Sequence, residues 1–216
     1  MNNRKKTIFF IRHCHDEPSE NLNQVEAAEV ALTPYGIRQA EALGSFLRSR
    51  EIDAIYSSVY KRAKETSAII AEQIQGRLFF DERLNEQALA RDRLDKKVAK
   101  DIKRRMLSEP EYVPDGAQSL RESIDKFLAA LNEILESPYS RICIVSHGFL
   151  MEAALRKRLG PIFTHKLSEG SITVVSFCNG DIQIEMANHR PFLLLRTQRR
   201  IFEIVKKLLS AFHLLR

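Results

Sequence analysis

Arg12 and His13 stand side by side where an apolar run, Thr7 to Ile11 in "TIFFIRHCHDEP", gives way to polar residues. Such a pair can be a chance surface cluster, part of a metal-ligand group, a buried histidine satisfied by hydrogen bonds, or an active site. The ending recurs in "ICIVSHGF", where a second apolar run delivers His147 and then Gly148 and a helical pattern. In open α/β sheets ligands bind beyond the carboxyl ends of the strands. A helix N-terminus there offers free N–H groups and a positive dipole end to an anion. One such histidine alone is more often structural. Two, the first with an adjacent arginine and the second before a helix, favour a phosphate-type site.

Two further residues lie where they could join it. Arg62 falls in the first turn of a helical pattern after "AIYSS", and Glu86 in "DERLNEQ", the loop beyond Leu78–Phe80. Taken singly, these read as a solvated helix arginine and an exposed loop acid.

The elements that must position these residues alternate between strand and helix, the pattern of an α/β fold with helices on both faces of a mostly parallel sheet. The strands are Thr7–Ile11, Ala54–Tyr56 with its flanks, Leu78–Phe80, Ile142–Val145, Ile172–Phe177 and Ile182–Glu185. Asn179-Gly180 joins the last two as a hairpin, so one antiparallel pair should lie at a sheet edge. Thr33-Pro34 opens the helix "YGIRQAEALGSFLRSR" with an N-cap and a proline at the first helical position, and Ser119-x-x-Glu122 has capping-box spacing.

The 216 residues, 44% hydrophobic and 29% charged, suit one globular domain with an appendage. Cys14, Cys143 and Cys178 are odd in number and lack metal-type spacing, so a reducing compartment and no zinc site are expected. The basic start MNNRKK leads into only five apolar residues, too few for a signal peptide or a spanning helix; a cytoplasmic protein is expected. The net charge of +6 is concentrated in two places. Residues 88–107 carry eight basic residues against three acids, and residues 196–216 carry six against Glu203 alone. Few aromatics are interleaved with them and no nucleic-acid-binding motif is present, so a nucleic-acid partner is not expected.

Taken in order, Arg12-His13, Leu32-Thr33-Pro34-Tyr35-Gly36-Ile37-Arg38-Gln39-Ala40, Ser57-Ser58-x-x-x-Arg62-Ala63-x-x-Thr66-Ser67, Leu84-x-Glu86, Gly116-x-x-Ser119-Leu120 and Val145-Ser146-His147-Gly148 resemble the motifs of the histidine phosphatase superfamily, the phosphoglycerate-mutase-like proteins. The resemblance covers roughly residues 7–192. It implies a three-layer α/β sandwich, a small helical cap over about residues 87–115, and a phosphohistidine intermediate. By position, His13 is then the nucleophile, Arg12, Arg62 and His147 hold the phosphoryl oxygens, and Glu86 is the proton donor. Gly148 opens the helix at the phosphate, and Ser19 stands where many relatives have a phosphate-binding asparagine. Two arginines and a histidine supply the positive charge that phosphoryl transfer needs, so neither metal nor cofactor is expected. The substrate would be a phosphorylated small molecule or a phosphoprotein. Mutase activity is less expected, because the long substrate-covering insertions of dedicated mutases are missing.

Three departures bear on this reading. Cys14 replaces the family's glycine after Arg-His, where its side chain could narrow the pocket or, beside Arg12 and His13, become a reactive thiolate; a tolerated small residue is the plainer reading. If the pocket is altered enough, the alternative is a catalytically weakened phosphate-binding or protein-interaction module. The tryptophan-containing stretch after Glu86 is replaced by the basic segment, in which Leu94, Val98, Ile102 and Met106 recur every four residues; basic residues in a cap favour substrates with additional negative charge. Beyond residue 192, residues 193–216 form an extra C-terminal segment with the pattern of a basic amphipathic helix. Ile201, Ile204, Val205, Leu208, Leu209, Phe212 and Leu215 share one face at helical spacing. It is too charged to span a bilayer, leaving its own domain, a partner or second subunit (a homodimer), or the surface of an anionic membrane as its contact.

Overall fold

The computed structural model describes residues 5–17, 24–86, 96–114 and 117–193. Ser19, Gly116, much of the cap segment and all of residues 194–216 lie outside them. The chain runs β1 (Lys6–Arg12), α1 (Gln24–Ala28), α2 (Pro34–Leu47), β2 (Ala54–Ser57), α3 (Lys61–Ile74), β3 (Arg77–Phe80), α4 (Lys96–Ser108), α5 (Leu120–Glu136), β4 (Arg141–Ser146), α6 (Gly148–Leu159), β5 (Ile172–Cys178) and β6 (Asp181–His189). All six expected strands form, each longer by a residue or more. The short α1 had no readable signal.

The six strands make one sheet in the order β3-β2-β4-β1-β5-β6. β1, β4, β2 and β3 are mutually parallel, and β5 is antiparallel to both β1 and β6. The β5–β6 hairpin thus lies at an edge, turning at Asn179 and Gly180, whose φ values of 53° and 88° are those the tight turn demands. Strand periodicity sends alternate residues of β1 into two apolar layers. Phe9 and Ile11 pack with Ala40, Leu43 and Leu47 of α2 and Ile70 of α3. Ile8 and Phe10 pack on the other face with Phe127 and Leu131 of α5 and Met151 and Leu155 of α6. The sheet is a filled three-layer sandwich, with β1 and β4 at its centre.

Two helix starts behave as their residues require. Thr33 Oγ1 accepts the Gly36 N–H at 3.0 Å, and Ser119 Oγ accepts the Glu122 N–H at 3.1 Å. From the cap stripe, Met106 is fully buried and Ile102 packs against the α5/α6 layer, while Val98 is exposed. Lys103 Nζ lies 5.3 Å from the centre of the Phe149 ring, tying α4 to the start of α6.

Candidate active site

β1 and β4 end side by side, and the backbone pairing continues one step further: His13 N–H donates to the Ser146 carbonyl at 2.9 Å. This brings the His13 and His147 rings to 5.1 Å between centroids. Both are buried, at 4% and 0% exposure. The His13 Nδ1 proton goes to the Cys14 carbonyl at 2.8 Å, which leaves Nε2 unprotonated and accepting from Arg62 Nε–H at 3.3 Å. Burial and the nearby Arg62 and Arg12 guanidinium groups hold the His13 imidazolium well below the ordinary histidine range; the Cys14 carbonyl opposes this only in part. At neutral pH His13 is therefore a neutral imidazole with an unprotonated Nε2, the state a nucleophile requires.

His147 is fixed from its other side. Asn85 Oδ1 accepts from the Val59 N–H at 3.0 Å and from Ser58 Oγ at 2.8 Å, so the Ser58 hydroxyl proton is engaged and His147 Nε2–H donates to Ser58 Oγ at 2.8 Å. His147 Nδ1 is then left buried without a hydrogen-bond partner among the described residues, as is Arg12 Nε. Buried polar groups are rarely left unpaired. An anion placed between the two would satisfy Arg12 Nε directly and His147 Nδ1 once that nitrogen takes up a proton. Burial, then Arg62, His13 and Arg12, keep His147 deprotonated in the free protein, so a bound dianion would draw that proton in.

The two arginines are held on carbonyls and carboxylates. Arg12 Nη1 donates to the Leu167 carbonyl at 2.9 Å and Nη2 to Glu169 Oε1 at 3.0 Å. Arg62 Nη1 donates to the Ala27 carbonyl at 2.6 Å, and its Nε lies 3.4 Å from Asp16 Oδ2. Gly148 leaves room for Arg12: a Cβ there would stand 3.0 Å from Arg12 Nη1 and 3.1 Å from its Cδ and Cζ. Glu86 Oε1 accepts the Leu150 N–H at 3.1 Å in the first turn of α6, rather than projecting into solvent. It is brought there because Leu84 is fully buried and its carbonyl accepts from Ser146 Oγ at 2.8 Å. Glu86 also borders a cleft of about 500 Å³, with Tyr60, Glu82, Arg83, Gln118 and Lys126 among its lining.

The remaining motif residues brace the loop after β1. Thr33 N–H and Gln39 Oε1 pair with the His15 carbonyl and N–H at 3.1 and 2.8 Å, and a Cβ on Gly36 would stand 2.0 Å from the His15 carbonyl oxygen. Thr66 Oγ1 accepts the Cys14 N–H at 3.1 Å and donates to the Arg62 carbonyl at 2.7 Å, coupling nucleophile loop to arginine. Cys14 itself is turned into the α2/α3 layer and fully buried, so its sulfur does not narrow the mouth. Burial pushes its thiol up to about 12, which favours the plainer reading of a tolerated small residue over a reactive thiolate.

Of the residues named from sequence, Arg12, His13, Arg62, His147 and Gly148 come together, Glu86 lies at the start of the same helix, and Ser19 falls outside the described residues. Sequence reasoning missed Asp16 and Glu169, the carboxylates on the two arginines, and the Ser58–Asn85 pair behind His147. Ser58 was visible within a motif; the others gave no signal.

The sequence profile of the histidine phosphatase superfamily (branch 1) matches residues 8–190. "Putative phosphoserine phosphatase 2" of Hydrogenobacter thermophilus is 29% identical over 156 residues, 68% of this chain and 76% of that protein. "Probable phosphoglycerate mutase GpmB" of Salmonella arizonae is 30% identical over 161 residues, 71% of this chain and 74% of that protein. Among solved structures, a mycobacterial glucosyl-3-phosphoglycerate phosphatase superposes with a TM-score of 0.72 at 20% identity, covering 86% of this chain and 99% of that one, a likeness of fold.

Proposed function

From the premise that the chain belongs to the histidine phosphatase superfamily, branch 1, we propose that it is a metal-independent phosphatase that hydrolyses a phosphomonoester or phosphoprotein through phosphorylated His13. The observation that carries this reading is the unprotonated His13 Nε2, anchored through Nδ1 and facing Arg62 at 3.3 Å, beside the unpartnered Arg12 Nε and His147 Nδ1. His13 Nε2 attacks phosphorus as the bond to the leaving oxygen breaks, and Glu86 gives that oxygen its proton. Arg12, Arg62, protonated His147 and the N-terminal turn of α6 at Gly148 hold the phosphoryl oxygens, with Ser19 as a further donor. Water then attacks the phosphohistidine, returns a proton to Glu86 and frees His13.

A phosphomonoester is favoured over a phosphoprotein: two of the similar proteins carry names that specify phosphoserine and glucosyl-3-phosphoglycerate, and the cleft beside Glu86 has room for the alcohol group next to the phosphorus. A mutase reading draws on the similar protein named for phosphoglycerate mutation; it shares the first half-reaction and differs in passing the phosphoryl group to a second hydroxyl. The burial of Cys14 away from the site removes the main reason for reading a weakened module. Release of phosphate from an aryl phosphate in the presence of a chelator, lost in His13→Ala, is the expected result. Turnover abolished by the chelator, or kept by His13→Ala, would overturn the proposal.

A further inference from the structure

The direction of the last strand determines where the chain leaves the fold. β6 is antiparallel to β5 and β5 to β1, so β6 ends on the same edge of the sheet as the strands that deliver His13 and His147. It is two strands from β1, about 10 Å at ordinary inter-strand spacing. Side chains close that distance. The Phe192 ring meets Tyr35 edge-on at 5.0 Å, Tyr35 meets His15 at 5.5 Å, and His15 is two residues from His13. The described chain therefore ends at the rim of the site. Among the described residues the same rim exposes Ile37 (41%) and Leu193 (36%), with Arg38, Arg190 and Lys166 outnumbering Glu17 and Glu29. Lys166 immediately precedes Leu167, whose carbonyl holds Arg12.

The segment that continues from this rim, residues 196–216, carries six basic residues against one acid and gathers its apolar residues on one face at helical spacing. Exposed apolar and cationic groups at the rim repeat that combination. A second copy would set one cationic segment against another, and packing back on the rim would set cations against Arg38, Lys166 and Arg190. An anionic bilayer complements both the charge and the apolar face. We propose that residues 196–216 dock the protein on an anionic membrane surface with the mouth of the site turned towards it, so that phosphomonoesters carried by the bilayer are captured in preference to free ones. The docking stands apart from the phosphatase reading; the preference for bilayer substrates rests on it.

The test uses the full chain and vesicles of phosphatidylcholine, alone or with phosphatidylserine. Co-sedimentation is expected with the anionic vesicles only, and to fall as salt screens the attraction. Each neutralised cation should weaken binding about fivefold, so the variant combining Arg199→Gln, Arg200→Gln, Lys206→Gln and Lys207→Gln should stay in the supernatant while hydrolysing an aryl phosphate at the wild-type rate. On vesicles containing phosphatidic acid, the wild type should release phosphate faster than this variant. Absence from both pellets, equal binding to neutral vesicles, or a concentration-dependent dimer without vesicle binding would overturn the docking. An unfolded variant would assign the segment to the domain core and overturn it too. Vesicle binding with equal phosphatidic acid rates would overturn the orientation, whereas failure to hydrolyse aryl phosphate would sink the phosphatase reading and leave the pellet assay intact.

Discussion

Acidification should destabilise this fold before its carboxylates titrate, because two buried histidines are held neutral at its centre. Burial first, and then the two arginines, depress both His13 and His147 well below the 6.5 of an unfolded chain. As the pH falls through 6.5 the unfolded chain takes up protons that the folded one refuses, so stability present above that pH is lost below it. If both imidazoles stay neutral to pH 5.5, each removes about 1.4 kcal/mol between pH 7.5 and 5.5, and the pair about 2.7 kcal/mol. His189, also depressed by burial, adds a smaller loss of the same sign. Asp16, raised by burial, acts in the opposite sense and offsets part of the total. Urea unfolding at the two pH values measures the loss directly, with the His13→Asn, His147→Asn double variant as the control. Sulfate, a dianion that does not titrate in this range, should shrink the wild-type loss by favouring the imidazolium. Equal losses in wild type and control would refute the claim that the histidines are held neutral.

Gly148→Ala should lower kcat/KM about 10- to 100-fold with little change in stability, since the new Cβ presses on an Arg12 pinned to Leu167 and Glu169; wild-type kinetics would refute the crowding argument. Glu86→Gln should slow substrates with poor leaving groups about 100-fold or more and spare good ones, and an equal loss for both would remove its role as acid. Cys14, with its thiol raised to about 12, should resist iodoacetamide at pH 8 until urea unfolds the chain; rapid modification of the native protein would contradict its burial.

Much of the fold was legible because buried parallel strands read as short apolar runs, and because Asn179-Gly180 marks the hairpin and Thr33-Pro34 and Ser119 mark two helix starts by local chemistry alone. The roles of Gly36, Gln39 and Thr66 were not legible: each braces a backbone loop far away in sequence. Asp16 and Glu169 were missed for the same reason, Glu169 reaching Arg12 across 157 positions. The direction of the Cys14 side chain was not legible either. Continued strand alternation would set it on the same face as Arg12, but β1 ends at Arg12 and the chain turns the thiol into the layer that holds Phe9 and Ile11. Glu86, taken singly, reads as an exposed loop acid, and only the resemblance puts it at the site; the buried Leu84 two residues earlier pulls it to the start of α6.

The central claim is that the phosphoryl group passes through His13 Nε2. Mixing the protein with a labelled phosphomonoester and quenching at alkaline pH, where a phosphoramidate survives, should leave label on a single peptide containing His13 that chases away with the rate of turnover. Turnover without that labelled peptide, or label that persists in His13→Asn, would contradict it.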